Sequence, residues 1–416
     1  MARGHRAASP GNRPALLLGA AVLLTLLRLG MALELLPGGA YALGAALLVG
    51  AGLEAALKAF RPGLLPGLVL LGVGTGLGYS LFPGVLLALV SVGVCYLVWS
   101  PSMSEREQAA FWGWLLVWPS VGLLLVWQIA PSLYALWLSL LDRFNFIGRS
   151  KFAGLLNYEI LLTRDPLFWK AVGNTVWFVV FTVPLGILLA TLVAVLLNEK
   201  LRGQGLFRTL YFLPYVTALT VAAAVWEWIY NPHFGFLNWL LGTPGLDWLS
   251  MPQGIFALAL APLGIKLQGF WAGPSVAFMA IMVMSLWHLL GYQVVVILAG
   301  LQNIPKEYYE AAQLDGASWW QQQRYITWPL LSPTTFFLAT LGLIGAFQVF
   351  TQVLIMTPTG GVLQDTLTIA LYLYNKGFRD SDFSYASAIA VVVFAVILAL
   401  TVVQQRVLER RVTYEA

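Results

Sequence analysis

Residues Gln302–Ser332 read QNIPKEYYEAAQLDGASWWQQQRYITWPLLS, a polar island set between two long apolar runs, Val276–Leu301 and Pro333–Met356. Each flanking run is close to the roughly 20 residues a helix needs to cross the hydrocarbon core of a bilayer. The island carries its own punctuation. Pro305 suits a first helical position, and Glu307 and Glu310 sit early, where negative charge favours the helix N-terminus. Asp315-Gly316 signals a turn, because glycine tolerates positive φ. Ala317–Tyr325 then predicts a second short helix, and Pro329 and Pro333 suit the start of the next span. The expectation is a helix–glycine turn–helix outside the bilayer. Its tyrosines and tryptophans suit either a headgroup anchor or a docking element for a soluble partner, and spacing alone does not choose between them.

Working outward, the same kind of apolar run recurs along the whole chain. Of 416 residues, 59% are hydrophobic and only 10% charged, against about 25% charged in ordinary soluble domains. The runs do not alternate as the strands of a barrel do, so the fold class is an all-α polytopic membrane protein. Ten spans are expected. Four precede residue 100: Ala15–Leu36, Ala40–Phe60, Leu64–Phe82 and Val85–Trp99. The last two are separated only by Pro83-Gly84, so one bent span is the alternative. After a polar linker at 101–111 come Trp112–Leu141, Ala171–Leu197, Thr209–Tyr230, Val276–Leu301, Pro333–Met356 and Tyr385–Val403. Trp248–Ser275 contains an apolar stretch broken by Pro262 and carrying Lys266, which reads as an interfacial segment rather than a span. With ten spans and a cytoplasmic N-terminus, most basic loop residues fall inside, among them Arg3, Arg6, Arg13, Lys58, Arg61, Lys200, Arg202, Arg208 and Arg324. Fewer, such as Arg143, Lys151, Lys170 and Lys376, fall outside.

Composition also excludes functions. The net charge of +5 is dispersed rather than clustered, which argues against nucleic acid as a partner. Cys95 is the one cysteine, so no intrachain disulfide or metal cluster is expected. No G-x-x-x-x-G-K-[ST] phosphate loop occurs. An ion-coupled secondary carrier keeps several buried carboxylates or histidines within its spans, and here the spans are poor in them: Arg28, Glu34 and Glu227 are the clear ionisable residues, and His288 is the one histidine placed within a span. A membrane glycosyltransferase needs acidic residues poised at the membrane boundary, and Glu227 alone is thin support. For a saccharide path, amides, hydroxyls and aromatic faces are the suitable chemistry. Gln348 and Gln352 lie four apart, on one face of a continuous helix, with Phe347 and Phe350 beside them and Gln348 set deepest. Ser285, His288 and Gln293 lie in the preceding span. Each of these also suits plain interhelical hydrogen bonding.

The stretch Glu310-Ala311-Ala312, two residues, Asp315-Gly316-Ala317, eight residues, Ile326, two residues, Pro329, three residues, Pro333 resembles the EAA loop of binding-protein-dependent ABC importer permeases. The likeness extends from about Trp114 to the C-terminus and is similar to the first permease subunit of the maltose-type, sugar-importing branch. It is carried by Pro131-Ser132-Leu133-Tyr134, Phe152-Ala153-Gly154, Asn174-Thr175, Phe212-Leu213-Pro214, Tyr230-Asn231-Pro232, and Tyr374 and Phe378 ahead of Asp382–Ala388. The resemblance implies a six-helix permease core over 112–416, preceded by about four extra N-terminal helices, in a bacterial inner membrane. It implies a coupling helix seated in a groove of a cytosolic ABC ATPase, with Glu310 pairing a basic residue of the ATPase and Gly316 permitting the turn. Gln323 departs from the family's frequent aromatic residue, and Trp319, Trp320 and Tyr325 stand ready to supply that surface. The implied partners are a second permease subunit, an ATPase dimer, a periplasmic or lipid-anchored sugar-binding protein, membrane lipid and the sugar itself. ATP–Mg would sit on the ATPase, with no cofactor on this chain. A neutral di- or oligosaccharide such as maltose or trehalose is the expected cargo, with glycerol phosphate or a polyol as the alternative.

Overall fold

The computed structural model describes residues 104–144, 150–198 and 204–408. The four early spans and Cys95 lie outside the described residues. The chain divides into two units, Met1–Ser132 and Leu133–Ala416. In the first, helix begins at Glu105, inside the stretch read as a linker. It runs through Glu105–Leu124 and a π turn at Leu125–Ile129, and the helix Ala130–Leu138 that follows in sequence includes the first residues of the second unit. Ser120–Leu138 is long and apolar enough to cross a membrane.

The second unit is built from long apolar helices, as a chain without water to satisfy its backbone requires. Among the described residues there is no strand, only isolated bridges at Leu141–Phe152 and Gly254–Ser275. Pro166–Asn198 forms the second core span. Its start is capped by Asp165, whose carboxylate accepts from the Leu167 and Phe168 amides at 3.0 and 3.1 Å, filling donors a helix end leaves open. Val276–Gln302, the fourth, opens on Ser275, whose hydroxyl accepts from the Phe278 amide. It is the axis of the unit, with 56% of its apolar window buried against 22% for the sixth span, Phe383–Arg406.

Two apolar clusters hold the spans. Near one end, Ala190, Ala194 and Leu197 of the second span meet Val294, Ile297 and Leu301 of the fourth, together with Ile304, Leu331 and Leu338. The polar island is therefore rooted in the same cluster that joins the spans. Toward the other end, Phe168, Phe178, Phe278, Ile281 and Met284 pack with Val353, Leu371 and Ile389.

The third span departs from the expectation of one continuous helix over Thr209–Tyr230. It is two helices, Gln204–Val216 and Leu219–Ile229, bent by 105°. Pro214 removes one helical donor, and Ala218 at the break is extended (φ −55°, ψ 129°). The first of these helices approaches the fourth span at Gly291, where an added Cβ would collide with the Tyr211 carbonyl and touch Phe212. Trp248–Ser275 holds only short turns and the helix Ile255–Leu260, in keeping with a segment that does not span. Phe270 of this segment stacks on Trp177 at 4.8 Å, and Phe256 meets the same ring edge-on at 5.4 Å.

The fifth span is also broken. Ser332–Phe347 ends at Gln348, and helix resumes only at Thr351–Met356. Gln348 (φ −98°, ψ 12°) and Phe350 (φ −141°, ψ −60°) leave helical geometry. Gln348 and Gln352 therefore do not share one helical face, contrary to the spacing argument.

Candidate coupling loop and substrate path

The island folds as a helix, Lys306–Leu314, a turn, and a second helix starting at Trp319. Pro305 is the residue before the first helix rather than its first member, and Glu307 stands in the first turn. The Gly316 amide returns to the Gln313 carbonyl at 3.0 Å and the Ala317 amide to the Ala312 carbonyl at 2.9 Å. That closure places Gly316 at φ +77° with open space around its Cα. Glycine is thus required there by conformation, not by crowding. Ser318 and Gln321 form a reciprocal capping box, which fixes where the second helix begins. That helix is shorter than Ala317–Tyr325. It passes at Gln323–Thr327 into a π turn, a local widening often found at functional sites.

One face of the island is fastened and the other is free. Tyr309 and Thr327 share a hydrogen bond at 2.9 Å across the pair, and the Gln322 amide donates to the Ala317 carbonyl at 3.2 Å. Tyr309 and Ile326 also pack on the cluster of spans below. Glu310, Ala311, Asp315 and Gly316 are exposed, while Ala312 and Ala317 are half-buried in the turn. Leu314, at the tip, is 91% exposed, with Trp320 at 76% and Tyr325 at 70%. An apolar tip flanked by carboxylates is the composition of a contact surface. Sequence reading passed over Leu314, since an apolar residue carries no mark of exposure until the turn around it is known.

The residues expected along a path separate into two groups. Gln348 is exposed, in the break of the fifth span. The others are buried within this chain. Gln352 donates to the Ser285 hydroxyl at 3.2 Å, and Ser285 donates to the Ile281 carbonyl at 2.8 Å. His288 donates to the Pro214 carbonyl and lies against the Tyr215 ring at 6.1 Å. The Gln293 amide lies over Gly186, where an added Cβ would meet its Oε1 at 2.8 Å. Interhelical contacts hold these four, with His288 Nδ1 and Gln293 Oε1 left without a hydrogen-bond partner among the described residues. Gln348 alone of the five is exposed.

The end opposite the island has its own polar fastenings. The Asn174 amide donates to the Leu367 carbonyl at 2.9 Å, and the Thr175 hydroxyl accepts from the Ile369 amide at 3.0 Å. Asp165 accepts from the hydroxyls of both Tyr372 and Tyr385. Burial pushes the Asp165 carboxyl up, but the two tyrosines and two backbone amides outweigh it, and the carboxyl titrates below its ordinary range. A cavity of about 510 Å³ opens at this end, lined by Glu227, Asn231, Asp247, Ser250 and Thr359 among others.

The comparisons agree with this architecture. The family described as "Binding-protein-dependent transport system inner membrane component" matches residues 168–414. The lactose transport system permease protein LacF of Rhizobium radiobacter is 36% identical over 70% of this chain and 92% of its own. The trehalose/maltose transport system permease protein MalF of Thermococcus litoralis is 32% identical over 71% and 92%. The sn-glycerol-3-phosphate transport system permease protein UgpA of Yersinia pestis is 31% identical over 73% and 95%. A chain from the crystal structure of a bacterial ABC transporter involved in alginate import shares the fold, with a TM-score of 0.60 and 20% identity over 74% of this chain and 98% of that one. A multi-pass apolar bundle, a helix–turn–helix island and a family match over most of the second unit converge on one assignment: the chain belongs to the binding-protein-dependent transport system inner membrane components, the permeases of ABC importers.

Proposed function

We propose that this chain is the permease subunit of an ATP-driven importer of a neutral di- or oligosaccharide, working beside a second permease subunit. The exposed, internally fastened island carries the reading. Its carboxylates Glu307, Glu310 and Asp315 flank the apolar tip at Leu314, a pattern suited to a basic protein groove rather than to a bilayer, whose apolar interior penalises charge. A cytosolic ATPase dimer takes that groove's place, with ATP–Mg held on the ATPase and no cofactor on this chain. The island end is then cytoplasmic, and the cavity end faces a periplasmic or lipid-anchored sugar-binding protein.

The transport cycle follows from the same geometry. ATPase closure pushes on the Lys306–Leu314 helix. Because Tyr309, Ile326 and Leu331 belong to the cluster joining the second, fourth and fifth spans, the push moves packed spans rather than a loose loop. Irregular backbone at membrane depth persists only where it is buried or lines a wet cavity. The break at Gln348–Phe350 is such a place, and Gln348 is its exposed amide. The relatives named for lactose and for trehalose/maltose transport support a saccharide cargo. The test is reconstitution: the complex with its ATPase and binding protein, in proteoliposomes, accumulates a neutral disaccharide only with ATP. Accumulation without ATP, or none with any neutral saccharide, overturns the reading.

A further inference from the structure

The cavity at the end opposite the island is assembled from segments far apart in the chain. Glu227 comes from the second half of the broken span, Asn231 from the turn after it, Asp247 and Ser250 from the following loop, and Thr359 from the loop after the fifth span. Its walls are fixed. The Trp248 indole donates to the Asn238 side chain at 2.7 Å, and Asn238 in turn donates to the Leu246 carbonyl at 2.8 Å, which holds the loop bearing Asp247. Tyr230, beneath, donates to the Ala280 carbonyl at 3.1 Å. On the far wall, the Thr357 and Thr366 hydroxyls bond each other at 2.8 Å.

The volume, about 510 Å³, falls within the roughly 300–1,000 Å³ of small-molecule sites. The lining offers two carboxylates, an amide and hydroxyls, and no lysine, arginine or histidine. Carboxylates accept hydrogen bonds from sugar hydroxyls, while they repel phosphate or uronate groups. Neither Glu227 nor Asp247 belongs to the ion pairs found among the described residues.

We propose that this cavity is an outer-mouth subsite that admits a neutral saccharide and rejects anionic ones, with Glu227 and Asp247 as the discriminating groups. The proposal rests on the importer reading above and adds where, and by which groups, the charge of the cargo is read. It separates this chain from a carrier of glycerol phosphate, although a permease of that name is among its relatives.

The test is saturation-transfer NMR on the assembled permease–ATPase complex in nanodiscs, without nucleotide or binding protein. The probes are millimolar trehalose and sn-glycerol 3-phosphate. The wild type should transfer at least fivefold more signal to trehalose. Thr359→Trp, which fills the cavity, should cut that signal at least threefold, and Thr359→Tyr serves if the larger ring prevents assembly. The Glu227→Gln/Asp247→Asn double variant should bring glycerol phosphate within twofold of trehalose. Equal signals in the wild type, a trehalose signal indifferent to filling, or a double variant that still rejects the phosphate would each overturn the proposal. Failure of the complex to accumulate any saccharide would instead sink the importer reading, which this binding contrast does not measure.

Discussion

Gln352 and Ser285 meet across two spans, the Gln352 amide donating to the Ser285 hydroxyl at 3.2 Å inside the unit. Gln348, four residues earlier, stands exposed in the break of the same span. One short stretch thus holds a buried, hydrogen-bonded amide and an exposed one proposed for the path, and substitution should separate them. Gln352→Leu should destabilise the chain by about 1 kcal/mol, the usual net value of one hydrogen bond, and lower the thermal midpoint. Gln348→Ala should leave that midpoint alone and reduce saccharide uptake several-fold. The reverse pattern, read by thermal unfolding and uptake of the purified variants, would contradict the assignment.

Gly316 sits at φ +77° with nothing within 4 Å of an added Cβ, so only backbone strain penalises a side chain. That strain is about 1–2 kcal/mol for most residues and less for asparagine. Gly316→Val should therefore impair ATP-driven uptake strongly, and Gly316→Asn only slightly. Equal defects in the two would show that space, not conformation, governs the site.

Gly291 presents the opposite case, since an added Cβ would strike the Tyr211 backbone. Backbone cannot rotate aside as a side chain can, so Gly291→Ala should already force the Gln204–Val216 helix off the fourth span. Overpacking of this kind costs about 1–3 kcal/mol. Expression level and thermal midpoint of the variant check this, and a wild-type midpoint would show that the helices are not seated as closely as described.

Asp365 is 8% exposed, beside Ser275 and over Gly361. Burial raises its carboxyl above the ordinary value, against lesser opposing effects from Ser275 and Lys170. Between the ordinary and the raised value the folded chain keeps a proton that the unfolded chain has released. Stability therefore falls as pH rises through that window and is flat above it. Each unit of upward shift is worth about 1.4 kcal/mol. Asp365→Asn should match or exceed the wild type at pH 7 and lose the gain that the wild type shows on acidification. A thermal-midpoint series from pH 7 downward measures the difference, and parallel pH profiles would refute it.

What the sequence makes legible here is local. The island's turn and caps follow from Asp315-Gly316 and from Ser318 with Gln321, whose partners lie within a few residues. Hydropathy located the long spans for the same reason, since apolar composition is additive along a window. Both broken spans escaped it. The break at Thr217–Ala218 follows Pro214, and a hydropathy window does not register such a bend; the break at Gln348–Phe350 is met by a contact from another element, the Thr368 hydroxyl donating to the Val349 carbonyl at 3.0 Å. Gln348 was singled out by its chemistry, although the argument from a shared helical face does not hold in the folded chain. Glu227 was visible alone, but Asp247 and the cavity between them need the folded chain. Leu314 stood out only once the turn left it exposed at the tip.

The central claim is that the island docks an ATPase through its tip, and proximity at Leu314 tests it most directly. With Cys95 replaced by serine, Leu314→Cys in the full chain, expressed with its transport partners, should form a thiol-specific crosslink to the cytosolic ATPase whose yield changes when ATP is added. The exposed Leu263 on the Ile255–Ser275 segment supplies the control, since Leu263→Cys should give no ATPase crosslink. A crosslink from Leu314→Cys to the ATPase that responds to ATP is the predicted result. Labelling of Leu314→Cys by lipid or solvent probes alone, with the ATPase bound elsewhere on the complex, would contradict the account.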